Sequence, residues 1–148
     1  MSERHNDAPG LDAGASAVTS LLRAADAAAR SLEEFFRGHG LTGQQYNVLR
    51  ILRGARSALP TMDVAERMIQ KTPGLTGILD RLERKGLVHR ERSETDRRVW
   101  LCSLTEAGEE VLAGVDPLLD AANREALGRA REPLEVLSAA LPRVENRG

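Results

Sequence analysis

Cysteine occurs once in the 148 residues, so no disulfide can close within the chain and the clustered Cys and His ligands of a structural zinc site are missing. The three histidines, His5, His39 and His89, are too scattered for any pair to have ligand spacing, which argues against a metal sensor. No apolar run reaches membrane length, and the start of the chain lacks the basic opening and apolar centre of a secretory signal. A cytoplasmic protein with no membrane partner is expected. Catalytic signatures are missing too: there is no nucleophile elbow, no phosphate-cradling glycine loop and no metal-binding histidine pair on a helix. Glu33 with Glu34, and Glu109 with Glu110, are neighbours that point to different sides of a helix, which suits solvation better than acid-base chemistry. The expectation is a non-enzyme with no metal and no cofactor.

What is present is concentrated between Pro60 and Thr105. Thr61 reads as the cap of a short amphipathic run with Val64, Ala65 and Met68 inward. Gln70 and Lys71 then lead to Thr72, an N-cap followed by Pro73 at the first helical position, so a second helix is expected to start at Thr72. Within it Leu75, Ile78, Leu79 and Leu82 form a buried stripe, and Gly86 is its C-terminal stop. Opposite the stripe lie Pro73, Gly77, Asp80 and Arg84, flanked by Thr76 and Arg81. These would look into a DNA major groove. Leu87 to Glu91 and Arg98 to Leu104 read as strands around the polar link Arg92 to Arg97. In that link Asp96 can hold Arg98 in one rotamer, which suits a narrow minor groove. Helix, turn, helix and hairpin in this order make a helix-turn-helix with a wing, and double-stranded DNA becomes the leading partner.

A net charge of −1 runs against nucleic-acid binding, because phosphate attraction supplies much of the affinity. Its distribution answers the objection. From Arg81 to Arg98 seven basic residues face four acidic ones, whereas from Thr105 to the end five basic residues face nine acidic ones. The excess of positive charge coincides with the expected wing.

The flanks read as helices around this module. Residues 1–14 are polar and are expected to form a disordered tail. Ala15 to Arg37 repeats Val18, Leu21, Leu22, Ala25, Ala28, Leu32, Phe35 and Phe36 at helical spacing, and Gly38 to Gly40 breaks it. Thr42 and Gln45 form a capping box for a helix carrying Tyr46, Val48, Leu49 and Leu52. After the wing, Thr105 caps a helix bearing Val111, Leu112, Val115, Leu118, Leu119 and Ala122, bent by Pro117, and Pro133 starts a last helix with Leu134, Leu137 and Leu141. The fold class is thus mainly α with a small β-hairpin: dimerisation helices at 15–40 and 105–148 around a winged helix-turn-helix at 41–104. Apolar stripes too large for the module to cover imply a homodimer.

Three segments together resemble the MarR family of bacterial transcriptional regulators: Leu41 to Leu49 (LTGQQYNVL), Thr72 to Val88 ending in RLERKGLV, and Asp96 to Thr105 (DRRVWLCSLT) followed by Gly108. The resemblance covers most of the chain. It implies an obligate homodimer in which each subunit offers one winged helix to half of a near-palindromic operator, usually as a repressor answering to a ligand. It further implies that Arg98 is the minor-groove arginine with Asp96 as its partner, and that Thr72 to Thr76 open the recognition helix. The DNA-contacting set expected here is Lys71, Thr72, Gly74, Thr76, Arg81, Arg84, Arg97 and Arg98. Gly77 departs from the family, which often carries a basic or larger polar residue there. Either the backbone comes close to DNA, or readout moves to Thr76, Arg81 and the wing, or the position is permissive. Relatives often bind small aromatic or amphipathic anions near the region of His39, so such an effector is a possible partner and His39 a possible contact.

Two other classes stay open. A thiol-based redox regulator would use Cys102, although the reactive cysteine of the peroxide-sensing branch lies near the first helix and is missing here. A winged helix serving as a protein-interaction module would bind DNA without base preference.

Overall fold

The alanine-rich segment forms one long helix, α1, Ala13–Gly38. The computed structural model describes residues 13–69, 71 and 73–145, so most of the expected tail, and Gln70 and Thr72, lie outside the described residues. After α1 come α2 (Gly43–Ala55), β1 (Leu59–Pro60), α3 (Thr61–Arg67), α4 (Leu75–Arg84), β2 (Val88–Arg92), β3 (Trp100–Leu104), α5 (Glu106–Arg129) and α6 (Arg131–Glu145). The chain divides into two units: residues 33–120, and the flanking residues up to Leu32 and from Ala121.

In the unit 33–120, α2 begins as expected. The Thr42 hydroxyl accepts from the Gln45 amide at 3.1 Å and the Gln45 side chain accepts from the Thr42 amide at 3.1 Å, satisfying two donors that a helix start leaves open. Tyr46, Val48, Leu49 and Leu52 are buried on its inner face. Val64 of α3, Met68 just after it, Leu75, Ile78, Leu79 and Leu82 of α4, and Leu112 and Val115 of α5 are buried as well and make up the rest of the core. Tyr46 also fixes α2 to α5. Its hydroxyl donates to Asp116 at 2.8 Å, and Arg53 reaches the other oxygen of that carboxylate at 2.6 Å. Burial alone would raise the Asp116 pKa, yet the bonds from Arg53 and Tyr46 outweigh it and hold the carboxyl below its ordinary value. Burial, followed by the bond to Asp116, pushes the Tyr46 phenol up to about 12.

The sheet has three antiparallel strands in the order β1-β3-β2, with Leu59 opposite Cys102 and Val88 opposite Leu104. The sequence reading missed β1, since two residues show no alternation. Other boundaries shift as well. Pro60 occupies the cap position of α3, and the Thr61 hydroxyl instead donates to the Trp100 carbonyl at 3.3 Å across to β3. The strands start at Val88 and Trp100, and α6 starts at Arg131, leaving Pro133 within a first turn whose amides need no helical partner.

Two motif glycines have distinct causes. Gly86 has φ +71°, the left-handed conformation that closes α4 at little steric cost. Gly108 instead makes a close approach: a Cβ there would stand 2.4 Å from the Leu87 carbonyl oxygen. The first turn of α5 therefore lies directly on the start of the wing, with the Thr105 hydroxyl accepting from the Gly108 amide at 3.1 Å as its cap.

In the other unit the buried residues are small. Ala17, Ser20, Ala24, Ser31, Ala122, Ala126, Ala130 and Ala140 are buried, while Val18, Leu21, Leu22, Leu127, Val136 and Leu141 are exposed.

Candidate nucleic-acid interface

The second helix of the motif starts later than its letters suggest. The Ile78 amide donates to the Gly74 carbonyl at 3.1 Å, which makes Gly74 the cap position and Leu75 the first helical residue. Pro73 lies in the preceding turn. Gly74 has low helix propensity and no side chain to cap with, so the helix begins where the buried stripe does. From Leu75 onward the expected faces hold. Leu75, Ile78, Leu79 and Leu82 are buried, and Thr76, Arg81 and Arg84 are exposed.

One outward residue is not free. Asp80 was expected to look into the groove, but its carboxylate bonds Nη2 of Arg90 on β2 at 2.5 Å. Glu83 takes Nε and Nη2 of the same guanidinium at 3.0 and 2.7 Å. Burial works against the Arg90 charge, yet its bonds to Glu83 and Asp80 outweigh this and raise its pKa further. The face opposite the stripe is therefore Gly77, Thr76, Arg81 and Arg84, with Asp80 turned to the wing.

The wing tip is built on Asp96. Its carboxylate accepts from the Arg98 amide at 3.0 Å and lies 3.6 Å from Arg98 Nε, while its carbonyl accepts from the Val99 amide at 2.9 Å. The Arg98 side chain is 94% exposed, so the guanidinium stands clear of the fold on a tethered stem. At the base of the tip the Ser93 amide donates to the Val99 carbonyl at 2.9 Å. Arg92 lies 4.2 Å from the centroid of the Trp100 ring and donates to the Arg97 carbonyl at 2.8 Å. These contacts fix the tip against its own strands.

Two cavities collect the charged groups. One of about 360 Å³ runs between helix and wing, with Thr76 and Leu79 on one side and Arg90, Arg98 and Trp100 on the other. Another of about 520 Å³ is lined by Arg37, Leu41, Gln45, Arg81, Arg84 and Lys85 among its walls, four cations with no carboxylate. Lys85 also donates to the Gly40 carbonyl and, at 3.4 Å, to Gln45.

A MarR family model matches residues 39–99. The chain is 36% identical to the homoprotocatechuate degradative operon repressor of Escherichia coli, over 74% of each chain. It is 34% identical to the transcriptional regulator FarR of Neisseria gonorrhoeae, over 89% of this chain and 92% of that one. The chain belongs to the MarR family. The crystal structure of a MarR transcription factor from Planctomyces limnophilus superposes with a TM-score of 0.73 at 33% identity, over 85% of this chain and 93% of that one. This MarR protein is thus a transcriptional regulator with a winged helix-turn-helix fold, as its three motif segments suggested.

The expected contact residues fall on this MarR surface as follows. Lys71, Gly74, Thr76, Arg81, Arg84, Arg97 and Arg98 are exposed, and Thr72 lies outside the described residues. Thr76 and Arg98 meet at one cavity, and Arg81 and Arg84 at the other. Arg90, Trp100 and Arg37 also line these cavities and Arg92 packs on Trp100, yet none of the four is in the expected contact set. For Arg90 a signal existed in the alternation of β2, which points it to the same side as Val88 and Arg92, away from His89 and Glu91.

Cys102 is wholly buried, and burial pushes its thiol up despite a hydrogen bond shared with Thr61 and the charge of Arg90. A reactive sensor needs an accessible thiolate, so the redox alternative loses its basis. His39 is exposed, and its Nδ1 bonds the Phe35 carbonyl at 2.9 Å within its own helix end. No metal-holding group of His, Cys, Asp or Glu exists among the described residues, and no helix among them is long and apolar enough to cross a membrane.

Proposed function

We propose that this MarR-family regulator is a homodimeric repressor which sets α4 of each protomer into a major groove and Arg98 of each wing into the adjoining minor groove of a near-palindromic operator. The observation that carries this reading is Arg98, held by Asp96 at backbone and side chain yet almost fully exposed. Holding the guanidinium lowers the entropy lost on binding, and a narrow groove concentrates the negative potential it would meet. Lys71, Thr72, Gly74, Thr76, Arg81, Arg84 and Arg97 complete the proposed contacts. The exposed Val18, Leu21, Leu22, Leu127 and Val136 support pairing of two chains through their helical units.

Release would come from a small aromatic or amphipathic anion. The cavity with Arg37, Arg81, Arg84 and Lys85 supports this, since cations without a carboxylate beside Leu41 suit an anionic head on an apolar body. The Escherichia coli relative represses a homoprotocatechuate degradative operon, and homoprotocatechuate is such an anion. The test is selection of duplexes from a random pool by the purified protein, followed by a salt titration. A two-fold-related consensus and a steep fall of affinity with salt are expected. Binding with no base preference and little salt dependence would instead favour a protein-interaction module.

A further inference from the structure

The helix assigned to DNA carries two carboxylates on the edge next to the wing, and this needs a physical answer. Asp80 and Glu83 have side chains 47% and 39% exposed, so in the free protein they are open to whatever the helix approaches. Beside phosphates they would repel. Arg90 lies beneath them with its side chain only 17% exposed, bonded to both. A guanidinium buried that far gives little contact area to a ligand of its own, but it cancels much of the field of the two acids above it.

We infer that Arg90 is a charge-masking residue, which neutralises the acidic edge of α4 so that the helix can come close to a polyanion. It touches no base and no phosphate. The inference rests on the DNA-binding reading above. Masking and simple bracing of helix against wing make opposite forecasts, because the net charge of the cluster can be varied independently of its bonds. Native Arg90, Asp80 and Glu83 together carry −1. Arg90→Gln leaves −2, the triple variant Arg90→Gln, Asp80→Asn, Glu83→Gln carries 0, and Asp80→Asn with Glu83→Gln carries +1.

The experiment measures the affinity of the full-length chain and these three variants for a duplex selected by the native protein, across a range of salt, with the thermal midpoint of each recorded. Masking expects affinity to rank with charge: Arg90→Gln weakest, by about tenfold at low salt, then native, then the triple variant, then the double variant. The differences should shrink as salt rises and screens them, so the salt slope should steepen from Arg90→Gln to the double variant. A bracing role expects the native chain to bind best and the triple variant to stay as weak as Arg90→Gln, and that order would overturn the inference. Should Arg90→Gln fail to fold, the double variant decides alone: binding at least as tight as native upholds masking, and weaker binding by a folded double variant rejects it. A native chain that selects no duplex overturns the DNA reading and the inference together, whereas native selection with the bracing order overturns only the inference.

Discussion

Residues 33–120 place Leu49, Leu79, Leu82 and Leu112 wholly out of water, whereas the helical unit outside them buries alanines and serines and leaves Leu21, Leu22 and Leu127 more than half exposed. Their ion pairs differ in the same sense. Arg90 joins β2 to α4 and Arg53 joins α2 to α5, but Arg30 with Asp26, Arg129 with Glu125 and Arg131 with Glu135 link residues four apart on one helix. A fully buried leucine contributes about 1.5–3 kcal/mol, and local surface pairs well under 1 kcal/mol. One unit thus holds itself together, and the other leaves large apolar side chains exposed, which the proposed pairing would cover. Reading DNA needs rigid geometry, while pairing needs an apolar face kept open.

The comparison breaks most visibly at Leu22, which is 65% exposed. Leu22→Glu should leave the single chain folded but put a charge into the proposed pairing face. Sedimentation should then show monomers, and operator affinity should fall on the order of a hundredfold as the two half-sites lose their linkage. A variant that stays dimeric at native affinity would remove this face from the interface. The opposite unit should respond in stability instead: Leu82→Ala is expected to cost about 2–5 kcal/mol in denaturant unfolding, because the α4 stripe has no room to collapse without moving the helix. Arg98→Ala sharpens the contrast further. Its side chain makes no buried contact, so the thermal midpoint should stay put while operator affinity drops by about 1–3 kcal/mol in a gel-shift titration.

Acid and base probe the bond between α2 and α5. Asp116 has its pKa lowered on folding, so its contribution is present above the ordinary carboxylate value and is lost as pH falls below it. Tyr46 has its pKa raised, so its contribution is present below pH 10 and is lost as pH rises toward about 12. Unfolding midpoints followed at both ends should therefore decline, and Tyr46→Phe should flatten the alkaline limb.

Periodicity made the helices legible because burial of Val48, Leu49, Leu79 and Leu82 depends only on which face a residue occupies. The Thr42 box and Gly86 were legible for a similar reason, as local geometry decides them within a few residues. What escaped depends on partners distant in sequence. β1 exists because Leu59 and Pro60 pair with Cys102 and Leu101, and Thr61 gives its hydroxyl to Trp100 for want of any duty as a cap. Helical angles placed Asp80 outward correctly, but could not say that Arg90 would claim its carboxylate. Asp96 and Arg98 are two residues apart and pair locally, whereas Arg90 meets Asp80 and Glu83 across two elements.

The smallest expected effect tests whether α4 is shaped only for folding. A Cβ at Gly77 would meet nothing within 4 Å, so the fold gives no reason for glycine at the third position of a ten-residue helix. Gly77→Ala should raise stability by at most about 1 kcal/mol, through backbone propensity alone. Operator affinity measured on the same variant then has a direct meaning. A methyl group pointing into solvent in the free protein can weaken binding only if DNA comes close enough to touch it, so a loss places the backbone of α4 against the duplex, and unchanged affinity leaves base readout to Thr76, Arg81 and the wing.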